Sequence, residues 1–178
     1  MAELTPAPFS VLINRVFAEY AATKTIFDMP EKKFYRGMAP NPAVRFHGVS
    51  AATPLGPAAG PQDQMAQNIV LAWLGGSRII ELKTVQIDDR LKINRPCIDA
   101  HTIGFNIEFS QELLVEQSLR EYVGASMLID MIRESEIAAA GAVPAGPDPV
   151  IFDVSVGYNL EGIRSSKITG FLRDMMGA

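Results

Sequence analysis

The sequence is poor in the residues that build disulfides and metal centres. Cys97 is its one cysteine, which excludes an internal disulfide and any cluster held by about four thiolates of this chain alone. His47 and His101 are its two histidines, far apart and without a second histidine or cysteine at ligand spacing, so no zinc site is expected. Both read as surface or hydrogen-bonding residues. No apolar run approaches the roughly 18 residues of a membrane span, and "MAELTPAPFS" lacks a basic segment followed by an apolar one. The chain is therefore expected to be unexported and cytoplasmic. A net charge of -4 offers no general attraction to nucleic acid or an anionic membrane. Gly-x-Ser-x-Gly, Gly-x-x-x-x-Gly-Lys-Ser/Thr and Gly-x-Gly-x-x-Gly are all missing, which removes the usual signatures of hydrolases, nucleotidases and dinucleotide binders.

What is present is the pattern of an ordinary globular domain, 178 residues long and 48% hydrophobic. Phe9, Leu12, Ile13, Val16, Phe17 and Tyr20 recur at helical spacing, giving a lead-in helix within Pro8 to Phe27. "DMPEKKFYRGMAPNP" reads as a surface connection. "VRFHGVS", Val44 to Ser50, alternates as a strand, and the small-residue run "AATPLGPAAGP" follows it. Asp63 can then cap a helix that carries Met65, Ala66, Ile69, Val70, Trp73 and Leu74 on one face and stops at Gly75-Gly76. "SRIIELKTVQI", Ser77 to Ile87, is a second strand. Such a connection has the length of a right-handed parallel crossover, which would set the small-residue run at the carboxyl end of the first strand, where α/β sheets bind ligands. Beyond an irregular stretch, a helix is expected from Gln111 to about Ala140. A third strand at Val150 to Tyr158 and a helix in "SSKITGFLRDMM" complete the pattern.

Two places could carry chemistry. Lys83 lies in a strand among Ile79, Ile80 and Val85, where an ammonium needs an anion or a polar cavity. In a regular strand Glu81 shares its face and Thr84 takes the opposite one. Lys83 is then either one half of a structural Glu81–Lys83 pair or a cation at a ligand mouth. In "FNIEF", Asn106 and Glu108 project to one side if extended. They read either as an amide and carboxylate facing a ligand or as an ordinary loop amide and a solvated acid before a helix.

Taken together, "ATPLGPAAGP", "ELKTVQ", "RPCIDA" with "FNIEFS", and "VIFDVSVGYN" resemble the start of the flavin-binding barrel of the dihydroorotate and dihydropyrimidine dehydrogenases. Within that family the likeness is to the amino-terminal part of proteins described as a selenate reductase subunit, large iron–sulfur flavoproteins, and it runs from about Phe9 to the last residue. The resemblance implies an α/β fold: the first part, three β-α units, of a dihydroorotate dehydrogenase-like TIM barrel, incomplete because a full barrel takes about 250 residues. The expected organisation is an N-terminal helix and connection in 1–42 and a partial FMN-type barrel in 43–178.

The resemblance further implies that Ala58, Ala59 and Gly60 line the flavin, that Lys83 contacts its polar edge, and that Thr84 completes a Lys-Thr pair. It places Asn106 beside the cofactor and Glu108 beside the substrate. Asn159 matches an asparagine to which no role is assigned. FMN is the implied cofactor, with iron–sulfur clusters only in missing parts or partners. The expected function is the N-terminal segment of an FMN-dependent oxidoreductase, inactive alone. The alternative is a non-catalytic interaction module or an inactive remnant of such an enzyme. Expected partners are the remainder of the enzyme or partner redox subunits and a small-molecule substrate, with no nucleic acid and no membrane.

Overall fold

A computed structural model describes residues 5–38, 42–87, 113–157 and 159–177, together with the backbone of 98–100 and 104–106. The first helix, α1 (Phe9–Thr23), buries Leu12, Val16 and Tyr20, one residue per turn of its apolar stripe. It ends where Lys24 turns left-handed and returns its N–H to the Tyr20 carbonyl. A small hairpin of β1 (Thr25–Ile26) and β2 (Met29–Pro30) follows, turned by Phe27 and Asp28 at positive φ. The expected surface connection thus starts with a paired turn.

The stretch expected to be one strand, Val44 to Ser50, is a hairpin instead. β3 (Val44–Phe46) pairs antiparallel with β4 (Val49–Ala51), and Phe46 stands opposite Val49. The reason is local: His47 and Gly48 adopt φ of 46° and 81°, a two-residue turn with both φ positive that matches the twist of flanking strands. The next strand position is taken by the small-residue run itself. Its Leu55 carbonyl accepts from the N–H groups of Arg78 and Ile79 at 2.8 and 3.0 Å, and the run travels beside β5 (Ile79–Glu81) in the same direction. A Cβ on Gly56 would lie 1.3 Å from the Ile79 carbonyl oxygen. Only glycine lets the two backbones meet there.

The crossover between them contains a short 3-10 turn, Pro61–Gln64, and α2 (Ala66–Leu74). Asp63 does not cap α2, as the sequence suggested; its carboxylate accepts from the Gly60 N–H at 3.0 Å and closes the turn. The first N–H of α2, that of Ala66, is satisfied by the buried Glu121 carboxylate at 2.7 Å. Glu121 belongs to α3 (Val115–Arg133). The single long helix expected to run to about Ala140 is two: after α3, Ser135 accepts from the Ile137 N–H and starts α4 (Glu136–Ala139). Gly124, which interrupts the apolar stripe of α3, is where the Phe9 ring of α1 comes within 3.3 Å of a would-be Cβ. Its small size lets α1 sit close.

β5 pairs in parallel with β9 (Ile151–Asp153), and β6 (Val85–Gln86) pairs in parallel with β10 (Val156–Gly157). Between the halves of the β5–β9 strands the pairing slips by one residue: Glu81 faces Asp153, but Val85 faces Val156. Leu82, Lys83 and Thr84 therefore oppose only Val154 and Ser155, with Leu82 and Val85 donating their N–H groups to the carbonyls of Asp153 and Ser155. This is a β-bulge. A separate antiparallel hairpin joins β7 (Ile98–Ala100) to β8 (Gly104–Asn106). The chain closes with α5 (Leu160–Ile163), capped by Asn159, and α6 (Ser166–Met176), capped by Ser165.

One face of the β5–β9 sheet carries the core. Ile80, Leu82 and Val85 are fully buried with Ile69, Val70 and Trp73 of α2, Tyr122, Ala125 and Leu128 of α3, and Ile168 and Phe171 of α6. At the foot of this layer the fully buried Arg78 guanidinium binds Asp148 at 2.7 Å and the Trp73 and Ser77 carbonyls, between the rings of Tyr35 and Trp73. The other face bears half-buried Ile79 and exposed Glu81 and Asp153. The fold is mixed α/β, with parallel strands backed by helices and no closed barrel among the described residues. Among the described residues no helix is long and apolar enough to cross a membrane.

Candidate functional site

The bulge decides what the face turned away from the helices, open among the described residues, presents. Along β9 and β10 the alternation is regular, so Asp153 and Ser155 share the open face, while Val154 and Val156 pack on the core. Along β5 and β6 the core positions are Ile80, Leu82 and then Val85, a step of three where a plain strand steps by two. The extra residue brings Thr84 round to the open face, where its hydroxyl meets the Ser155 hydroxyl at 2.8 Å. The expectation that Thr84 points away from the face of Glu81 and Lys83 is thereby corrected: it assumed a regular strand.

Lys83 is half-buried at the bulge. Its carbonyl, freed from the ladder, accepts from the Tyr122 hydroxyl of α3 at 2.7 Å. Burial pushes the Tyr122 phenol well above its ordinary range, so it stays a donor at every physiological pH. Glu81 instead accepts from the Ala59 N–H at 3.0 Å, which ties the small-residue run to the strand it flanks. Ala58 is exposed, Ala59 half-buried and Gly60 buried. A Cβ on Gly60 would fall 2.4 Å from the end of the flexible Gln62 side chain. Of the three, the alanines are the ones turned outward.

A hollow of about 550 Å³ opens between this face and the β3–β4 hairpin. Arg45, Phe46, Ala58, Ile79, Glu81 and Asp153 line it. Glu81 and Asp153 stand in register on neighbouring strands, so its floor is acidic, while the hydroxyl pair and Lys83 lie toward the carboxyl ends of the strands. The backbone of Asn106 lies in β8 opposite Ile98; Glu108, Cys97 and His101 lie outside the described residues. His47 sits exposed at the hairpin turn with its ring edge on Phe46. Asn159 is occupied as the cap of α5.

Ser155, Asp153 and Tyr122 were not singled out from the sequence. Asp153 and Ser155 had a signal, polar residues two apart in an otherwise apolar strand. Tyr122 had none, because a hydroxyl reaching from a helix to a bulge carbonyl leaves no spacing rule.

Comparison with known proteins agrees with this architecture. The family described as oxidoreductase YgfK, N-terminal TIM-barrel domain, matches residues 27–178. The chain is 43% identical over 175 residues to the protein named "Putative oxidoreductase YgfK" in Escherichia coli strain K12, covering 98% of this chain and 16% of that relative. The protein of the same name in Escherichia coli O157:H7 matches to the same extent. The chain thus spans only a small share of the length of the curated relatives it matches. No solved structure matches it. The chain belongs to the family of the N-terminal TIM-barrel domain of oxidoreductase YgfK.

Proposed function

We propose that this chain is the N-terminal segment of an FMN-dependent oxidoreductase of the dihydroorotate and dihydropyrimidine dehydrogenase type, and that the open face at the bulge receives the flavin ring. The observation that carries the reading is the placement of half-buried Lys83 with Thr84 and Ser155 toward the carboxyl ends of parallel strands, the end at which α/β barrels bind ligands. The residues present suit the ring end of FMN. A cation and the Thr84 hydroxyl match a polar heterocycle edge, and Ala58 and Ala59 bring no bulk that would keep a planar ring away. Glu81 and Asp153 would repel a phosphate, so the phosphate end belongs on later strands.

Bound there, FMN would supply reversible hydride acceptance and donation. Lys83 would favour the electron-rich form by placing positive charge at the polar edge, and Thr84 would orient that edge by a hydrogen bond. Asn106 beside the cofactor and Glu108 beside the substrate belong to the same reading. So do a cytoplasmic location, electron transfer to iron–sulfur centres in the remainder of the protein or in partner subunits, and inactivity of the segment alone. The relatives' name supports oxidoreductase chemistry; selenate as the substrate has no support from the residues of the acidic hollow, which would repel an oxyanion.

The test is to purify the full-length protein with FMN supplied, denature it and identify the released flavin. The expected outcome is FMN near one equivalent in the wild type and a loss of about tenfold or more in affinity in Lys83→Ala, the scale of one charge-assisted contact. A wild type that releases no flavin overturns the proposal and favours a non-catalytic module.

A further inference from the structure

The bulge is held from two sides, by Tyr122, which has no role in the proposal above, and by Ser155, to which that proposal gives no separate task. From the helix layer, Tyr122 donates to the Lys83 carbonyl at 2.7 Å. From the neighbouring strand, Ser155 meets the Thr84 hydroxyl at 2.8 Å. A third accommodation is Gly157: a Cβ there would lie 3.2 Å from the Thr84 Cγ2, so its small size leaves room for the methyl group. A bulged residue that has lost its place in the ladder gains freedom of rotamer unless something fixes it.

We infer that Ser155 is a positioning residue for the flavin site: it fixes the rotamer of Thr84, which the bulge has brought to the open face, so that the Thr84 hydroxyl meets the cofactor edge in one orientation. The inference rests on the FMN reading and adds to it the residue that sets its hydrogen-bond geometry. Two hydroxyls in contact leave one proton to point outward, since each can donate once and accept twice.

The experiment compares Ser155→Ala, Ser155→Thr, Thr84→Val and the Ser155→Ala/Thr84→Val double variant in the full-length protein. It follows FMN dissociation, the flavin absorption spectrum and the thermal midpoint. Ser155→Ala is expected to weaken FMN binding about five- to tenfold, the scale of one oriented hydrogen bond, and to shift the flavin spectrum. Ser155→Thr restores both, and the double variant is no weaker than Thr84→Val alone. A Ser155→Ala protein with wild-type affinity and spectrum overturns the inference, as does additivity in the double variant or a change confined to the thermal midpoint. If the wild type retains FMN while Ser155→Ala matches it, the positioning role falls and the flavin reading stands. If the wild type releases no FMN on denaturation, both fall.

Discussion

At the scale of single residues, Gly56 has the least room for a side chain among the described glycines. Its backbone lies against that of Ile79 so closely that a Cβ would sit 1.3 Å from a carbonyl oxygen, and the obstacle is backbone, which cannot swing away. Gly56→Ala must therefore separate the small-residue run from β5 and forfeit the hydrogen bonds from Arg78 and Ile79. The expected loss is about 3 kcal/mol or more, from strain and unpaired buried N–H groups, measured by urea unfolding. A loss below about 1 kcal/mol would show that the run is not a strand position. Nothing in "AATPLGPAAGP" announces that role, because its pairing is made by backbone atoms, and periodicity reports side chains only. The helices and the later strands were legible because each buries an apolar face: the stripe of α1, the continuous face of α2, and Ile79, Ile80 and Val85 in the second strand.

At the scale of elements, the informative contact is between α2 and α3. The Glu121 carboxylate accepts the Ala66 N–H at the start of α2, yet burial raises its pKa, against the opposing effects of that hydrogen bond and of the Arg120 charge. The folded state therefore holds a proton more readily than the unfolded chain does. A raised acid contributes its stability fully below the unfolded value of about 4.5 and loses it as pH rises through the folded value. Glu121→Gln keeps an oxygen for the Ala66 N–H and removes the titration. Thermal unfolding across about pH 4 to 8 is expected to show the variant gaining on the wild type as pH increases. A constant difference between them would mean that Glu121 titrates alike in both states. This packing was invisible in the sequence, which offered Asp63 as the cap of α2. The bulge was hidden for a related reason: a one-residue slip in register between distant strands is fixed by the pairing of Glu81 with Asp153 and Val85 with Val156, not by spacing within either strand.

At the scale of the whole molecule, the sheet is open among the described residues. β9 and β10 are paired on one side only among the described residues, and a parallel strand with a bare edge is a template for another chain. The 178-residue chain expressed by itself is expected to self-associate with increasing concentration in sedimentation experiments, while a monomer at every concentration would show that the edge is covered. Membership of an oxidoreductase TIM-barrel family was legible from motifs at the strand ends, and the matching family is described as an N-terminal domain. The β3–β4 hairpin was not legible: Val44, Phe46 and Gly48 alternate as a strand does, and only the left-handed backbone of His47 and Gly48 breaks it.

The buried pair of Arg78 and Asp148 also imposes an order in time. Its members are 70 residues apart, and a guanidinium fully enclosed between Tyr35 and Trp73 without its counter-charge would cost about 3–5 kcal/mol. During synthesis at about 5–20 residues per second, β5 emerges from the ribosome several seconds before Asp148 does. In that interval the sealing of the small-residue run, α2 and β5 around Arg78 is disfavoured by that amount. The nascent chain is expected to keep its first crossover loose until the segment leading into the third strand delivers the carboxylate that lets it close.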